Sequence, residues 1–251
     1  MERILDFKSW ILEKEDRNDF YKDELNPKFW KGDTFDASIR SKLLSIADDF
    51  YSSLKIDSPI KDIQLTGSLA NYNWTEKSDL DVHILIDFSD ISPDVDLVKK
   101  AYDGLRFIWN LRHNIILRGH DVELYLQDIN APHTASGLYS LLEGKWIRIP
   151  KYNKPEIDYK DVDLKFNHFI HEINEMENLL NTSDFSSVSE KEIYNRAQKL
   201  KKKIIETRRE GLSKGGEFSV ENLVFKKLRN EGYIEKIINL ISRAYTNIYN
   251  E

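Results

Sequence analysis

Two aspartates separated by one residue, Asp79 and Asp81, follow the pair Gly67-Ser68, the first of them eleven residues after the serine. On a strand, residues two apart point to the same face, with Cα atoms about 6.6 Å apart at roughly 3.3 Å rise per residue. Carboxylates this close repel each other unless a cation lies between them. The spacing therefore predicts a metal site, and a pair of Mg²⁺ ions about 3.5–4 Å apart meets that need.

The Gly-Ser pair falls where a predicted strand, Ile63 to Thr66, turns into a short helical stretch, Leu69 to about Trp74. Glycine lets the backbone approach a phosphate, and a helix N-terminus offers free N–H groups. The Ser68 hydroxyl adds one more donor. Mg²⁺ keeps water or phosphate beside its protein oxygen ligands, so a nucleoside triphosphate is the expected ligand. We expect Gly67 and Ser68 to bind its outer phosphates.

A third carboxylate is expected on the neighbouring predicted strand, Val122 to Leu126. Glu123 lies in this strand, where a charge without a partner is costly. We assign it as the third acid, and Asp121, nearer the strand entrance, is the alternative. Taken singly, Gly67-Ser68 is explained as a turn, Asp79 and Asp81 as a solvated strand end, and Glu123 as an exposed residue of an edge strand. Their order along the chain favours one site.

Other polar residues are weaker candidates. His83 shares the strand face of Asp81, but histidine is a poor Mg²⁺ ligand, so we expect a packed residue. Between residues 191 and 229 there are twelve Lys and Arg against five Asp and Glu. Within this stretch, Arg208 and Arg209 precede a predicted glycine loop, Gly211 to Glu217. They either clamp a triphosphate or an RNA backbone or lie on a solvated helix face, and the sequence favours neither.

The elements that must position these residues fall into three predicted segments. Residues 1–56 form an N-terminal helical segment, with helices over residues 1–14 and from Thr34 to Leu54. Residues 57–155 form a compact core whose strands make a small mixed sheet, and residues 156–251 form a C-terminal helical domain. We therefore expect an α/β protein of the α+β kind.

Apolar spacing predicts the remaining helices. One is capped by Ser92, has Pro93 at its first position and runs to about Arg112. Its apolar residues on one face are Leu97, Ala101, Leu105, Ile108 and Leu111. The C-terminal domain is expected to contain helices from Asp161 to Leu180, from Glu190 to Glu210, from Val220 to Asn230 and from Tyr233 to Tyr249, with a polar linker from Asn181 to Ser189.

Composition excludes several classes of protein. The 251 residues carry 43 acidic and 37 basic side chains, a net charge of −6. The absence of Cys excludes disulfide frameworks, thiolate zinc sites and a cysteine nucleophile. We find no apolar run of about 20 residues and no signal-peptide core, so we expect a soluble, cytoplasmic protein without membrane association.

The run GSLANYNWTEKSDLDVHILIDF, residues 67–88, resembles the signature of the DNA polymerase beta-type nucleotidyltransferase superfamily. The resemblance implies two Mg²⁺ ions, with Mn²⁺ as an alternative, and three acids, which match Asp79, Asp81 and Glu123. Further segments are similar to uncharacterised nucleotidyltransferase-like proteins of tailed bacteriophages: LNPKFW, VELYLQD, GLYSLLEGKWIRIP and RREGLSKGGEFSVENLVFKKLRNEGY. A phage origin would place the protein in the bacterial host cytoplasm.

The expected activity is Mg²⁺-dependent transfer of a nucleoside monophosphate from a nucleoside triphosphate to a hydroxyl group, with release of pyrophosphate. The acceptor stays open: an RNA 3′ end, including that of tRNA, a protein, a small molecule or a second nucleotide. A protein that binds or sequesters nucleotides on the same fold without turnover is the alternative. A toxin-like or antitoxin-like role would use the same chemistry. The sequence predicts no oligomeric state.

Overall fold

The computed structural model describes residues 20–133, 135–152, 154–181 and 189–250. The helix predicted over residues 1–14 and residues 182–188 of the predicted linker lie outside this range. The chain divides into two compact units, one spanning Phe20–Lys154 and the other including Pro155 and all that follows. The described part of the predicted N-terminal segment, residues 20–56, belongs to the same unit as the strands.

The first unit is built around a six-stranded sheet of order β5-β6-β4-β3-β7-β8. Its β4 and β6 are parallel and all its other pairs are antiparallel. The prediction of a mixed α+β fold with a mixed sheet is therefore confirmed. The elements of this unit are β1 (Trp30–Lys31), β2 (Thr34–Phe35), α1 (Ala37–Leu54), β3 (Asp62–Thr66), β4 (Leu80–Ile86), α2 (Val95–Arg112), β5 (Ile116–Leu117), β6 (His120–Asp128), β7 (Leu138–Ser140) and β8 (Lys145–Arg148).

The three central strands, β3, β4 and β6, separate apolar from polar side chains by their alternation. Leu65, Val82 and Leu124 are in register across them and belong to the hydrophobic core. The core also takes Leu43, Ala47 and Phe50 of α1, all fully buried. Thr66, Asp81 and Glu123, one position away in the same ladder, share the opposite face. The sheet thus presents one polar face, and the candidate acids lie on it.

Helix α1 begins at Ala37, so the predicted start at Thr34 is wrong by three residues. The Asp36 carboxylate accepts hydrogen bonds from the backbone N–H groups of Ser38, at 2.9 Å, and Ile39, at 3.0 Å. Thr34 instead pairs with Lys31 in the short β1–β2 hairpin. A carboxylate two residues further on therefore caps the helix in place of the threonine.

Helix α2 differs from its prediction in its start and in its buried face. Asp94, not Ser92, caps it by accepting from the Leu97 N–H at 3.0 Å. Asn110 donates to the Leu124 carbonyl at 3.2 Å and accepts from its N–H at 3.3 Å, which fixes the helix along β6. In this orientation Val98 is buried, Tyr102 and Trp109 pack on the core, and the apolar face predicted from the sequence is exposed.

The second unit is helical in its described residues, with α3 (Tyr159–Asn181), α4 (Glu190–Gly215), α5 (Val220–Asn230) and α6 (Tyr233–Tyr249). Ser189 and Ser219 cap α4 and α5 by accepting from backbone N–H groups. The predicted glycine loop is wrong at its start, because α4 continues through Gly211 to Gly215. Among the described helices, none has the length and apolarity needed to cross a membrane.

Candidate functional site

The strand register brings two of the three predicted acids together. Asp81 of β4 and Glu123 of β6 are direct partners in the parallel ladder, and Thr66 of β3 is the partner of Asp81 on its other side. Neighbouring strands lie about 4.8 Å apart, so both carboxylates start from adjacent points of the same sheet face. Asp79 directly precedes β4, two residues before Asp81, and both aspartates are half-buried.

Gly67 lies against the Asp81 carboxylate. Its φ of 75° falls in the region that favours glycine, and a Cβ added there would overlap Asp81 Oδ2. Glycine is therefore required at this position for two separate reasons. Its missing side chain keeps the space beside one of the predicted metal-binding oxygens clear.

Ser68 connects the two halves of the motif. Its hydroxyl donates to Ser78 Oγ at 2.8 Å, and Ser78 Oγ also accepts from the Thr75 N–H at 2.9 Å. The helical turn that follows Gly67 is a 3₁₀ turn of only three residues, Ser68–Ala70, shorter than predicted. The geometry thus gives Ser68 a role in holding the segment before Asp79, and the phosphate-gripping role stays a prediction.

His120 holds the same segment from the other side, a contact that the sequence did not reveal. Its Nδ1 lies 2.6 Å from the Ser78 carbonyl oxygen, and its Nε2 lies 3.4 Å from Lys28 Nζ. Because an ammonium group only donates, Nε2 accepts and Nδ1 carries the proton given to Ser78. Lys28 also forms an ion pair with Glu76 at 2.6 Å. The chain leading into Asp79 is therefore anchored on both sides.

Glu123 is oriented by Tyr125, another residue that sequence analysis missed. The Tyr125 hydroxyl donates to Glu123 Oε2. The tyrosine ring stacks on His83, with centroids 4.6 Å apart and planes 15° apart, and the Arg106 guanidinium lies 4.4 Å from the ring centroid. Burial, followed by the negative charges of Asp81 and Glu123, raises the pKa of Tyr125 above its ordinary value. The hydroxyl therefore stays protonated and available as a donor.

Asp121, the alternative third acid, is exposed. It pairs with Ile116 in the β5–β6 ladder and directly precedes Val122, the partner of Leu80. It therefore stands level with Asp79, as Glu123 stands level with Asp81. The register places both acids at the same end of the sheet and does not choose between them.

A second polar row lies one step further along the strands. Gln64, His83 and Tyr125 are in register on β3, β4 and β6. His83 Nδ1 lies 2.6 Å from Gln127 Oε1, and burial lowers the pKa of His83 to about 4, so the ring is neutral and donates. Three buried polar atoms around this row have no hydrogen-bond partner among the described residues: Gln64 Oε1, His133 Nε2 and Arg106 Nε.

The predicted arginines belong to the helical unit. Arg208 Nε donates to Asn222 Oδ1 of α5 at 3.2 Å, and its guanidinium lies 4.1 Å from the Phe225 ring centroid. Arg208 is therefore engaged in joining α4 to α5. Arg209, the next residue on α4, is exposed. Both lie inside α4 as predicted, but the helix continues to Gly215, so the glycine loop does not directly follow them.

The donor set fits magnesium in its chemistry. Asp79, Asp81 and Glu123 supply only carboxylate oxygens, which Mg²⁺ prefers, and Gly67 leaves room beside Asp81. Within the described residues, no group of three or more His, Asp or Glu side chains is arranged to hold a metal ion. Glu123 Oε2, for its part, is engaged by the Tyr125 hydroxyl.

No protein-family model, curated protein or solved structure matches this chain.

Proposed function

We propose that this protein is a Mg²⁺-dependent nucleotidyltransferase of the DNA polymerase beta-type superfamily. It would transfer a nucleoside monophosphate from a nucleoside triphosphate to an acceptor hydroxyl and release pyrophosphate. The observation that carries the proposal is the pairing of Asp81 with Glu123 on adjacent parallel strands, with Gly67 packed against Asp81. The mixed sheet with one polar face supports it, since that face gathers the acids of two neighbouring strands beside Thr66 of a third.

Each residue of the site receives a role from its contacts. Asp79, Asp81 and Glu123 would hold the two Mg²⁺ ions, or Mn²⁺ in their place. Bound metal would supply charge neutralisation at the triphosphate and activation of the acceptor hydroxyl. Gly67 allows the backbone to approach the phosphates. Ser68 positions Asp79 through its hydrogen bond to the neighbouring Ser78. Tyr125 positions Glu123 by donating to its carboxylate.

The acceptor is the least defined partner. The basic helix α4 favours an RNA acceptor, such as a tRNA 3′ end, because exposed cations such as Arg209 attract phosphates. Several of its lysines are already paired, however: Lys202 with Glu206 at 3.7 Å and Lys203 with Glu172 at 3.6 Å. A protein, a small molecule or a second nucleotide therefore stays an alternative acceptor. The host bacterial cytoplasm is the compartment that we propose.

A nucleotide-binding protein without turnover is the second candidate. The observation in its favour is the engagement of Glu123 by Tyr125, together with the lack of a preformed metal cluster in the described residues. Such a protein would retain nucleotide without releasing pyrophosphate.

The test incubates the protein with Mg²⁺ and each α-labelled nucleoside triphosphate, with and without bacterial RNA and bacterial protein. We expect label in one acceptor class, and a loss of more than about 100-fold in Asp81→Asn, because a direct metal ligand matters at least as much as its supports. Asp48→Asn is the matched control, since Asp48 is exposed on α1. Retained nucleotide without transfer would favour the binding protein, and neither binding nor transfer would overturn both proposals.

A further inference from the structure

Helix α2 carries a second apolar face, opposite the one that packs on the core. Its large members are 45–74% exposed, whereas Val98 on the other side is 4% exposed. We call this face the α2 stripe, and its residues are Leu97, Ala101, Gly104, Leu105, Phe107, Ile108 and Leu111. A contiguous apolar patch of this kind on a soluble domain usually marks an interaction surface. The exposed Lys100 also lies on this face, one turn before Gly104. Its alkyl chain can extend along the apolar side chains while the ammonium group stays in water.

The stripe is symmetric about its central residue. Leu97 lies seven residues before Gly104 and Leu111 lies seven residues after it. Ala101 lies three residues before the glycine and Ile108 four residues after it, on the same side of the helix. A second α2, antiparallel to the first and crossing it at Gly104, would therefore place Leu97 against Leu111 and Ala101 against Ile108. Ala101 would face the larger Ile108, and Phe107 would face the exposed Lys100 of the other copy, whose alkyl chain can pack on the ring.

Nothing in the described part of the chain explains a glycine at position 104. Glycine in the middle of a helix lowers helix stability relative to alanine. Among the described residues, a Cβ added at Gly104 would meet nothing within 4 Å, so their packing does not require glycine there. A glycine on an exposed helix face does allow the backbone of a second helix to approach closely.

Charges at the two ends of the stripe also match this arrangement. Asp94 and Arg112 are separated by eighteen residues, which is five whole helical turns, so they occupy the same flank. Both are exposed. In an antiparallel two-fold pair, a given flank of one helix lies beside the same flank of its copy. The N-terminal end of each helix then lies beside the C-terminal end of the other. Asp94 of each copy therefore approaches Arg112 of the other.

We propose that the α2 stripe is the interface of a symmetric homodimer, in which two antiparallel α2 helices cross at Gly104. The stripe is self-complementary in shape and in charge, which is the property of an isologous two-fold contact. This inference is independent of the proposed enzymatic activity, because none of the stripe residues belongs to the polar face of the sheet.

The first experiment uses the absence of cysteine from the chain. A Gly104→Cys variant places one thiol per chain at the crossing point, where the two-fold brings it next to its own copy. We expect a disulfide-linked dimer under mild oxidation at micromolar concentration. Leu164→Cys is the matched control, because Leu164 is 71% exposed on α3, outside the stripe. Equal cross-linking of both variants would contradict the proposed geometry.

The second experiment measures mass in solution by sedimentation velocity. The unmodified protein should have twice the chain mass of 29.6 kDa at about 100 μM. Leu111→Glu should weaken the dimer at least about 30-fold, because a buried anchor becomes charged, while Leu164→Glu should leave it intact. Circular dichroism verifies that both variants fold. A monomeric unmodified protein, or a dimer unaffected by Leu111→Glu, would overturn the proposal.

Discussion

The Tyr125 hydroxyl connects the acids of the site to the polar row beside them. It donates to Glu123, while its ring lies between the His83 ring and the Arg106 guanidinium. A carboxylate oriented by such a donor loses rotamer freedom before any ligand arrives, so less entropy is lost on binding. Tyr125 is therefore a positioning residue in the proposed reaction.

Tyr125→Phe should lower transferase activity about 10- to 100-fold, the usual loss when a supporting hydrogen bond to a metal ligand is removed. The phenylalanine ring keeps the stacking on His83, so the fold should persist. A Mg²⁺ titration of activity should show a raised Mg²⁺ requirement, and calorimetric Mn²⁺ binding provides a readout without turnover. Tyr245→Phe, on the exposed side of α6, is the control. Unchanged Mn²⁺ affinity would remove Tyr125 from this role.

Gly67→Ala should reduce the free energy of unfolding by more than backbone strain alone. With a φ of 75° and a ψ of −161°, Gly67 lies in a region that residues with side chains hardly occupy, and such strain costs about 1–3 kcal/mol. At Gly67 the added methyl also meets Asp81 Oδ2, whereas at Gly32, with a φ of 58°, it meets no described residue within 4 Å. Urea denaturation of Gly67→Ala and Gly32→Ala should therefore differ by about 1–2 kcal/mol. Equal losses would show that Asp81 moves aside without cost.

At the level of elements, the spacing of apolar residues predicted those strands and helices that bury one face. The alternation in β3 and β4 and the helical spacing of α3 to α6 follow directly from burial of one face, so these elements were predictable. The starts of α1 and α2 were not, because only the folded chain shows that Asp36 and Asp94 are the residues that cap these helices. Nor was the buried face of α2. That helix is apolar on both sides, and the contact of Asn110 with β6 decides which side meets the core.

The site shows the same division. Two aspartates on one strand face can be inferred from their spacing, and a third acid on a neighbouring strand can be proposed. The supports cannot, since Tyr125 and His120 reach their partners only through the exact turn and side-chain directions of the folded chain. Arg208 was a candidate for phosphate binding because it lies in a basic stretch, but in the folded chain it joins α4 to α5 through Asn222.

The joining of α3 to α5 predicts a pH dependence of stability. Lys165 contacts Glu221 and Asp161, each at 2.9 Å. The hydrogen bond from Lys165 lowers the pKa of Glu221 below its ordinary 4.5. The unfolded chain therefore binds this proton first as the pH falls. The stabilisation is fully present above the ordinary pKa and is lost as pH falls through the lowered one.

Glu221→Gln should accordingly remove about 0.5–1 kcal/mol at pH 7, discounted for partial exposure, and little at pH 3. Denaturant titrations across this range measure the difference from the unmodified protein. Glu235→Gln, on the exposed face of α6, should show no such trend. A loss that is equal at pH 7 and pH 3 would mean that packing of the side chain, not its charge, provides the stabilisation.

At the scale of the whole molecule, the two units can be followed separately by their aromatic residues. Four of the five tryptophans, Trp30, Trp74, Trp109 and Trp146, lie in the sheet unit, and none follows Lys154. Tryptophan emission in a Trp10→Phe background thus reports on the sheet unit. Far-UV circular dichroism is dominated by helices, and the helical unit contains most of the helical residues. Two compact units need not unfold together, and the two signals would separate their transitions.

Magnesium should stabilise the sheet unit selectively, because the predicted ligands Asp79, Asp81 and Glu123 all belong to it. At ten times its dissociation constant, a ligand that binds only the folded state adds about 1.4 kcal/mol. The tryptophan transition should therefore shift to higher urea concentration in MgCl₂ than in EDTA at matched ionic strength. Asp81→Asn should abolish the shift and Asp48→Asn should retain it. A shift of equal size in Asp81→Asn would show that Mg²⁺ acts elsewhere, since the neutral amide removes the charge on which the proposed site depends.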